Sequence, residues 1–134
     1  MILRIVRGIP GSGKSTWAKK MFKSVMLEND MFCMKNDKYM FDAELHIDRI
    51  KDCENFTEQF LAKDMDVVVV NTFVKGEYMN PYFALAFKYK AQVEVYTVVG
   101  DFGSIHDVPD DIIQSMKDSW ESIHQEEVID LTDR

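Results

Sequence analysis

One short segment near the N-terminus has the residue types and the spacing that suit phosphate binding. It reads Gly8-Ile9-Pro10-Gly11-Ser12-Gly13-Lys14-Ser15 and matches the pattern G-x-x-x-x-G-K-[ST] in full. Glycines allow backbone conformations that other residues avoid, so successive N–H groups can point at phosphate oxygens. The alternative is a glycine-rich turn with an exposed lysine, and it leaves the complete match unexplained.

Two side chains at the end of this loop complete the predicted site. In such loops the lysine, here Lys14, reaches the β- and γ-phosphates of a nucleotide, and the following hydroxyl, here Ser15, binds Mg²⁺. A helix that starts at this point adds the partial positive charge of its N-terminus. We therefore predict ATP and Mg²⁺ as cofactors, Lys14 as a catalytic residue and Ser15 as a metal ligand. The predicted nucleotide-binding set is Gly8, Pro10, Gly11, Ser12, Gly13, Lys14, Ser15 and Thr16.

A phosphate-binding loop of this kind needs a strand before it and a helix after it, and the sequence supplies both. Apolar and polar periodicity predicts the remaining elements, with an uncertain loop up to residue 42 and a tail from residue 125 that forms an edge strand or frays. The predicted strands are 2–6, 23–27, 67–70 and 93–99, and the predicted helices are 14–22, 44–63, 81–88 and 107–124.

The alternation of strands and helices predicts a doubly wound α/β domain spanning residues 1–134. We expect the P-loop NTPase fold, a mainly parallel sheet of four or five strands with helices on both faces. The β-branched run Val67–Val70 is typical of a strand that is covered on both faces, so it should lie inside the sheet. The last helix should bury a stripe made of Ile112, Met116, Trp120 and Ile123.

Length and composition exclude several classes of protein. The 134 residues suit one domain, and 46% apolar with 29% charged residues is typical of a soluble globular protein. No apolar run approaches the roughly 20 residues of a membrane-spanning helix, and the N-terminus lacks a signal-peptide layout, so we expect a cytoplasmic protein. The net charge of −7 argues against a broad nucleic-acid surface. Cys33 and Cys53 are expected to be free thiols.

Further candidate residues follow the predicted strands, because ligands of open parallel sheets bind beyond the carboxyl ends of the strands. Asp30 follows the second strand and is a candidate general base, or else a loop or helix-capping aspartate. Asn71 and Thr72 follow the third strand and are candidates for substrate binding, or else a polar turn. His106 is a candidate for a contact to substrate or phosphate, with a hydrogen-bonded structural histidine as the alternative.

Three segments together resemble a known family. The stretch Arg7-Gly-Ile-Pro-Gly-Ser-Gly-Lys-Ser-Thr-Trp-Ala18 resembles the P-loop of phage-type polynucleotide 5′-hydroxyl kinases. Asn29-Asp30-Met31-Phe32 looks like their loop with the catalytic aspartate, and Asn71-Thr72-Phe73 is similar to a turn of that family. Downstream, 79–82 and 105–121 are similar to small stand-alone P-loop ATPase proteins related to those kinases, many of them encoded by phages.

The resemblance implies that Lys14 and Ser15 bind ATP·Mg²⁺, that Asp30 activates the acceptor hydroxyl, and that Asn71 with Thr72 places the acceptor. The sequence departs from the family in two places. Family kinases carry an arginine-bearing lid helix. The corresponding segment here, residues 99–106, is short and contains neither Arg nor Lys. They also carry an arginine about one turn after the aspartate, where the nearest cation here is Lys35.

Two functions from different classes follow. The first is a phosphotransferase that moves the γ-phosphate of ATP to a nucleotide or to a nucleic-acid 5′ end, and Asp30 favours it. The alternative is an ATP-binding module or slow ATPase with a regulatory role, favoured by the missing lid arginine because such a charge is worth about 10³ to 10⁵ in rate. The sequence leaves the acceptor, the base preference and the oligomeric state open.

Overall fold

A computed structural model describes residues 1–28, 34–35, 38–39, 43–103 and 108–132. The strands are β1 (Ile2–Arg7), β2 (Val25–Glu28), β3 (Met34–Lys35), β4 (Lys38–Tyr39), β5 (Val67–Asn71), β6 (Gln92–Val99) and β7 (Glu126–Asp130). The helices are α1 (Lys14–Met21), α2 (Ala43–Ala62), α3 (Asn80–Tyr89) and α4 (Asp110–Ser119), and a 3₁₀ turn, Gly76–Met79, precedes α3.

Five strands form one parallel sheet in the order β2-β5-β1-β6-β7, and β3 pairs with β4 in a separate antiparallel hairpin. β1 is central, so the glycine-rich loop that follows it leaves the middle of the sheet. β5 lies between β2 and β1 and all five of its residues are buried, as the apolar run predicted. The tail forms the edge strand β7, which was one of its two predicted states.

Alternation along the strands divides the core into two layers, because successive side chains of a strand point to opposite faces. One face packs against α2 and α3 through Leu3, Ile5, Cys53, Leu61, Val67, Val69, Met79 and Tyr82. The other face packs against α1 and the C-terminal segment through Val6, Ala18, Val68, Val70 and Val98, with Trp17, Phe22 and Ile129 at its margin. The predicted α/β fold with helices on both faces is confirmed.

Arg7, the last residue of β1, is a completely buried charge with 0% exposure. Its Nε and Nη2 atoms donate to the carbonyl oxygen of Phe73 at 3.1 and 2.6 Å, and Nη2 also donates to the carbonyl of Glu121 at 2.7 Å. Nη1 forms an ion pair with Glu126 at 2.8 Å, and the guanidinium stacks on Trp120 at 4.2 Å. Burial lowers the pKa of Arg7, while the hydrogen bond and charge of Glu126 raise it.

The contacts of Arg7 explain why the last helix is shorter than predicted. The helix expected to reach His124 ends at Ser119, and Trp120 is extended. At this point the indole packs on the guanidinium of Arg7. The N–H of Glu121, which a continuing helix would direct to the carbonyl of Lys117, donates at 2.9 Å to the carbonyl of Val74, which also accepts from Arg7 at 3.3 Å. A tertiary hydrogen bond therefore replaces the local helical one.

The predicted buried stripe of this helix was wrong for a related reason. α4 has no buried residue, and its apolar side chains are only half-buried. Two members of the stripe lie beyond the end of the helix and pack elsewhere. All four residues of the predicted stripe are half-buried: Ile112, Met116, Trp120 and Ile123.

α2 is the longest helix in the described ranges, at 20 residues, and it packs on the sheet and on α3. None of the helices that the structure describes is both long enough and apolar enough to span a membrane.

Replacing Glu126 with Ala is expected to destabilise the fold strongly. The carboxylate of Glu126 is the acidic partner of Arg7, and its side chain is 6% exposed. Leaving a buried charge without its partner costs about 3–5 kcal/mol, which should appear as a lower urea midpoint at an unchanged m-value. Glu127→Ala is the matched control, because that neighbour is exposed and should cost no more than about 0.5 kcal/mol. Equal midpoints for both variants would contradict a central role for this ion pair.

Candidate active site

The glycine-rich loop is closed on itself and presses against the sheet. The N–H of Ser12 donates to the carbonyl of Ile9 at 3.1 Å. A Cβ atom at Gly8 would lie 2.5 Å from the hydroxyl of Ser12 and 2.8 Å from the carbonyl of Val98, so only glycine fits there. Gly13 has a φ of 91°, a left-handed conformation that favours glycine. The loop therefore holds one compact shape.

Features of the loop and of α1 fit a bound anion. Gly13 is the N-cap of α1, and no side chain caps the helix or places an acid in its first turn. The N–H groups of a helix start have no partners within the helix, so they are available to phosphate oxygens. The hydroxyl of Ser12 is buried and has no hydrogen-bond partner among the described residues. A triphosphate in the loop would satisfy these donors.

The residues expected to carry the chemistry of the triphosphate lie in the first turn of α1. Lys14 is 7% exposed, and its Nζ lies 3.5 Å from the carbonyl oxygen of Ile9, so the ammonium folds back over the loop. Ser15 is half-buried and Thr16 is exposed. A hydroxyl oxygen is a ligand that suits Mg²⁺, and Ser15 stays the predicted metal ligand.

The loop after β6 packs directly on the glycine-rich loop, a contact that sequence reasoning missed. The N–H of Phe102 donates to the carbonyl of Gly11 at 2.9 Å. A Cβ atom at Gly100 would lie 2.4 Å from the carbonyl oxygen of Ser12, and one at Gly13 would lie 2.9 Å from the ring of Phe102. The available signal was a glycine directly after a strand, followed within two residues by an aromatic side chain.

The C-terminal segment reaches the same place from the other side. The N–H of Leu131 donates to the carbonyl of Val99 at 2.7 Å, and its side chain lies against Gly13. Asp130 accepts hydrogen bonds from the hydroxyl and the N–H of Thr132, which lower the pKa of that carboxyl. A cavity of about 320 Å³ beside the glycine-rich loop is lined by Asp101, Phe102, Leu131 and Thr132.

The residues predicted to bind substrate, and the predicted base Asp30, lie on the opposite side of the loop or outside the described ranges. Asn71 ends β5 and is 3% exposed, and its side chain approaches the buried thiol of Cys53, whose pKa is raised by burial. Thr72 is half-buried beyond the end of the strand. Asp30 and His106 lie outside the residues that the structure describes.

Arg7 also ties the turn after Thr72 to the start of the glycine-rich loop. Phe73 has a φ of 44°, which is unusual for a residue other than glycine, and its carbonyl accepts two hydrogen bonds from Arg7. The turn that carries Asn71 and Thr72 is thus fixed to the residue directly before Gly8. The site has two sides, the cavity next to β6 and β7, and the polar strand ends of β5 and β2.

Comparison with known proteins adds a family and two relatives. A family model described as "AAA domain" matches residues 3–101. The human NEDD4-binding protein 2 is 30% identical over 98 residues, which are 69% of this chain but only 6% of that protein. An uncharacterised protein of Pasteurella multocida, PM0531, is 29% identical over 131 residues, which cover 85% of this chain and 73% of the relative.

Several solved structures share the fold at low sequence identity. A sugar kinase from Janibacter sp. HTCC2649 has a TM-score of 0.69 at 16% identity, covering 98% of this chain and 86% of that one. Kti12 of Chaetomium thermophilum, in complex with ADP-AlF3, gives 0.65 at 12% identity, covering 97% and 88%. A Pnkp1/Rnl/Hen1 complex gives 0.61 at 20% identity, covering 85% of this chain and 38% of that one.

Replacing Gly100 with Ala is expected to weaken triphosphate binding. The new methyl group would meet a backbone oxygen of the glycine-rich loop at 2.4 Å, so the loop after β6 must move away from it. Gly76→Ala is the control, because a Cβ there is 3.4 Å from its nearest neighbour and the loop is untouched. Calorimetry with Mg·ATP should show a Kd at least about 10-fold higher for Gly100→Ala, which corresponds to about 1.4 kcal/mol, and an unchanged Kd for Gly76→Ala. An unchanged Kd for both would show that the contact does not shape the site.

Proposed function

This chain belongs to the AAA domain family of P-loop, kinase-like proteins, and from that premise we propose that it transfers the γ-phosphate of ATP to a hydroxyl group. The observation that carries the proposal is the complete phosphate-binding loop, with its uncapped helix start and the buried hydroxyl of Ser12. The acceptor we propose is a nucleic-acid 5′ end or a nucleotide. The order of motifs that resembles polynucleotide 5′-hydroxyl kinases supports this choice, as does the fold shared with the Pnkp1-containing complex.

Each proposed role follows from the chemistry of the residue. The loop amides and Lys14 bind the phosphates, and the hydroxyl of Ser15 would hold Mg²⁺. When bound, Mg²⁺ neutralises charge on the β- and γ-phosphates. Asp30 accepts the proton of the acceptor hydroxyl as its oxygen bonds to the γ-phosphorus, and the bond to the bridging oxygen breaks with its electron pair left on ADP. Thr72 and His106 place the acceptor, and Asn71, whose side chain is buried beside Cys53, supports Thr72 from the end of β5.

We assign the nucleotide base to the cavity beside the loop. Phe102 is 47% exposed there, and its ring is fixed against Gly13. A base that stacks on an exposed aromatic ring gains about 1–3 kcal/mol and needs no hydrogen bond for it. Leu131 supplies an apolar wall, while Asp101 and Thr132 offer polar groups at the rim. This arrangement supports binding of a nucleoside triphosphate rather than of free phosphate.

The alternative function, a nucleotide-binding module with slow hydrolysis, rests on one observation. Residues 99–106 contain no Arg or Lys, so this segment supplies no guanidinium or ammonium group for the γ-phosphate. A module of this kind would bind Mg·ATP with the same loop but would transfer no phosphate. The two functions therefore differ in the fate of the γ-phosphate and not in ATP affinity.

Transfer can be tested with γ-labelled ATP, Mg²⁺ and a panel of nucleosides, nucleotides and 5′-hydroxyl oligonucleotides. We expect label on an oligonucleotide or nucleotide. Lys14→Met should weaken ATP binding or abolish labelling, because the cation facing the phosphates is lost. Asp30→Asn should keep ATP affinity and lower transfer about 10²- to 10⁴-fold, because the amide cannot accept a proton. Label that appears only as inorganic phosphate would favour the binding module, and wild-type rates in Asp30→Asn would remove the general-base role.

Phe102→Ala is expected to separate base binding from phosphate binding. Loss of the ring should raise the Kd for Mg·ATP by about 5- to 150-fold, the equivalent of one stacked base. Inorganic tripolyphosphate has no base, so its affinity should stay within about 2-fold of the wild type. Phe87→Ala is the control, because that ring is 89% exposed in the last turn of α3. It precedes the start of β6, whereas Phe102 follows the end of that strand. Equal losses for ATP and tripolyphosphate would show that Phe102 only supports the loop.

A further inference from the structure

Phosphoryl transfer needs positive charge on the side of the γ-phosphate that faces the acceptor. Charge develops on the equatorial oxygens in the transition state, and an arginine that reaches them is worth about 10³ to 10⁵ in rate. Lys14 approaches the phosphates from the loop. Residues 100–102, which follow β6, pack against the loop, and the segment from there to position 106 contains neither arginine nor lysine. A cation for the acceptor side must come from another element.

The order of the strands indicates which elements lie on the acceptor side of the γ-phosphate. The cavity that suits the base lies next to β6 and β7, on one side of the central strand β1. A nucleotide whose base is there runs its phosphates through the loop above β1, so its γ-phosphate points toward β5 and β2. The elements around the ends of β5 and β2 therefore surround the transferred group.

α2 packs on β5 and β2. The contacts of Cys53 show its position along the strands, and those of Glu58 show how it is rotated about its axis. Cys53 lies beside the side chain of Asn71, so this turn of α2 is level with the end of β5. Arg49 is one turn earlier on nearly the same face, and four residues of helix rise by about 6 Å, which carries it beyond the strand end. Arg49 thus stands at the edge where ligands of such sheets bind.

The flank of α2 on which Arg49 lies is the one toward β2. Glu58 marks the opposite flank, because its carboxylate bonds Lys88 at 2.8 Å and Tyr89 at 3.0 Å, and both belong to α3. Nine residues separate Arg49 from Glu58, which is two and a half turns at about 3.6 residues per turn, so the two side chains point to opposite flanks. β2 ends at Glu28, two residues before the proposed base Asp30.

Burial distinguishes Arg49 from the other cation nearby in the sequence. Arg49 is half-buried and its Nε is fully buried, so its stem is held by the protein. Lys51 is exposed, and its charge acts on the neighbouring Glu54, whose pKa is raised by burial and lowered by Lys51. Of the two cations, Arg49 is therefore the one whose side chain the surrounding protein holds in place.

We propose that Arg49 contacts the γ-phosphoryl oxygens from the acceptor side during transfer and takes the place of a cation from the segment after β6. The inference rests on the proposed phosphotransferase function and deepens it. Its ligand is a phosphoryl group with developing negative charge, which a planar guanidinium binds with two parallel hydrogen bonds. The residue is catalytic in this proposal because it touches the reacting group.

Binding of a mimic of the transferring group tests the role without knowledge of the acceptor. Calorimetry with Mg·ADP alone and with Mg·ADP plus aluminium fluoride should show that the wild type binds the second complex more tightly. Arg49→Ala should lose at least about 10²-fold of the aluminium fluoride affinity, consistent with the value of such an arginine, and keep ADP affinity within about 2-fold. Lys51→Ala is the matched control and should behave as the wild type. Arg49→Lys should recover part of the loss, because it keeps the charge without the fork.

Two results would overturn the role of Arg49. One is an aluminium fluoride complex that Arg49→Ala binds as well as the wild type, or that the wild type binds no better than ADP. The other is an equal loss of ADP and aluminium fluoride affinity with a lower unfolding temperature, which would make Arg49 a structural residue. Failure of the proposed function is a separate result, since it would appear as no labelled acceptor with wild-type protein.

Discussion

The buried guanidinium of Arg7 is the contact on which the rest of the site depends. An arginine with 0% exposure loses its hydration, a penalty of several kcal/mol that hydrogen bonds and a counter-ion must offset. Those partners come from three separate parts of the chain: the turn after β5, the segment after α4, and β7. The charge can be buried only when all three are in place. The residue that follows it is Gly8, the first of the phosphate-binding loop.

One consequence is that the C-terminal fifth of the chain helps to form the proposed nucleotide site. Glu126 brings β7 next to β6, and the strand then delivers Leu131 to the loop, where its side chain touches Gly13. The same guanidinium fixes the carbonyl of Phe73 and with it the turn that presents Thr72. The proposed base side and the proposed acceptor side are therefore both held to the loop by a single side chain. A change in the tail is transmitted to both through contacts that are visible in the structure.

Much of the fold and the phosphate-binding loop could be predicted from the sequence, because local patterns encode them. The phosphate-binding loop follows from residue types at fixed spacing, and the buried strand β5 follows from an unbroken β-branched run. The end of α4 could not be predicted, because Ser119 is followed by residues with acceptable helix propensity. The helix ends where Trp120 and Glu121 contact distant partners, Arg7 and the carbonyl of Val74. The packing of Phe102 on the loop leaves only the local signal of a glycine and an aromatic residue after a strand, because its partners are backbone atoms 89 or more positions away. Asp30 and His106 remain predictions.

The two sides of the site are built from different kinds of contact. The base side depends on backbone hydrogen bonds and on glycines without room for a methyl group, so few sequences fit it. The proposed acceptor side is formed by strand ends, of which that of β5 is held by Arg7, and by a long side chain of α2, so its side chains can change while this backbone stays fixed. A rigid nucleotide half beside a variable half lets one fold serve different acceptors, because binding sites vary most where side chains, not backbone, define them. For this chain, the identity of the acceptor is therefore to be sought in the residues around the ends of β2 and β5 and not in the phosphate-binding loop.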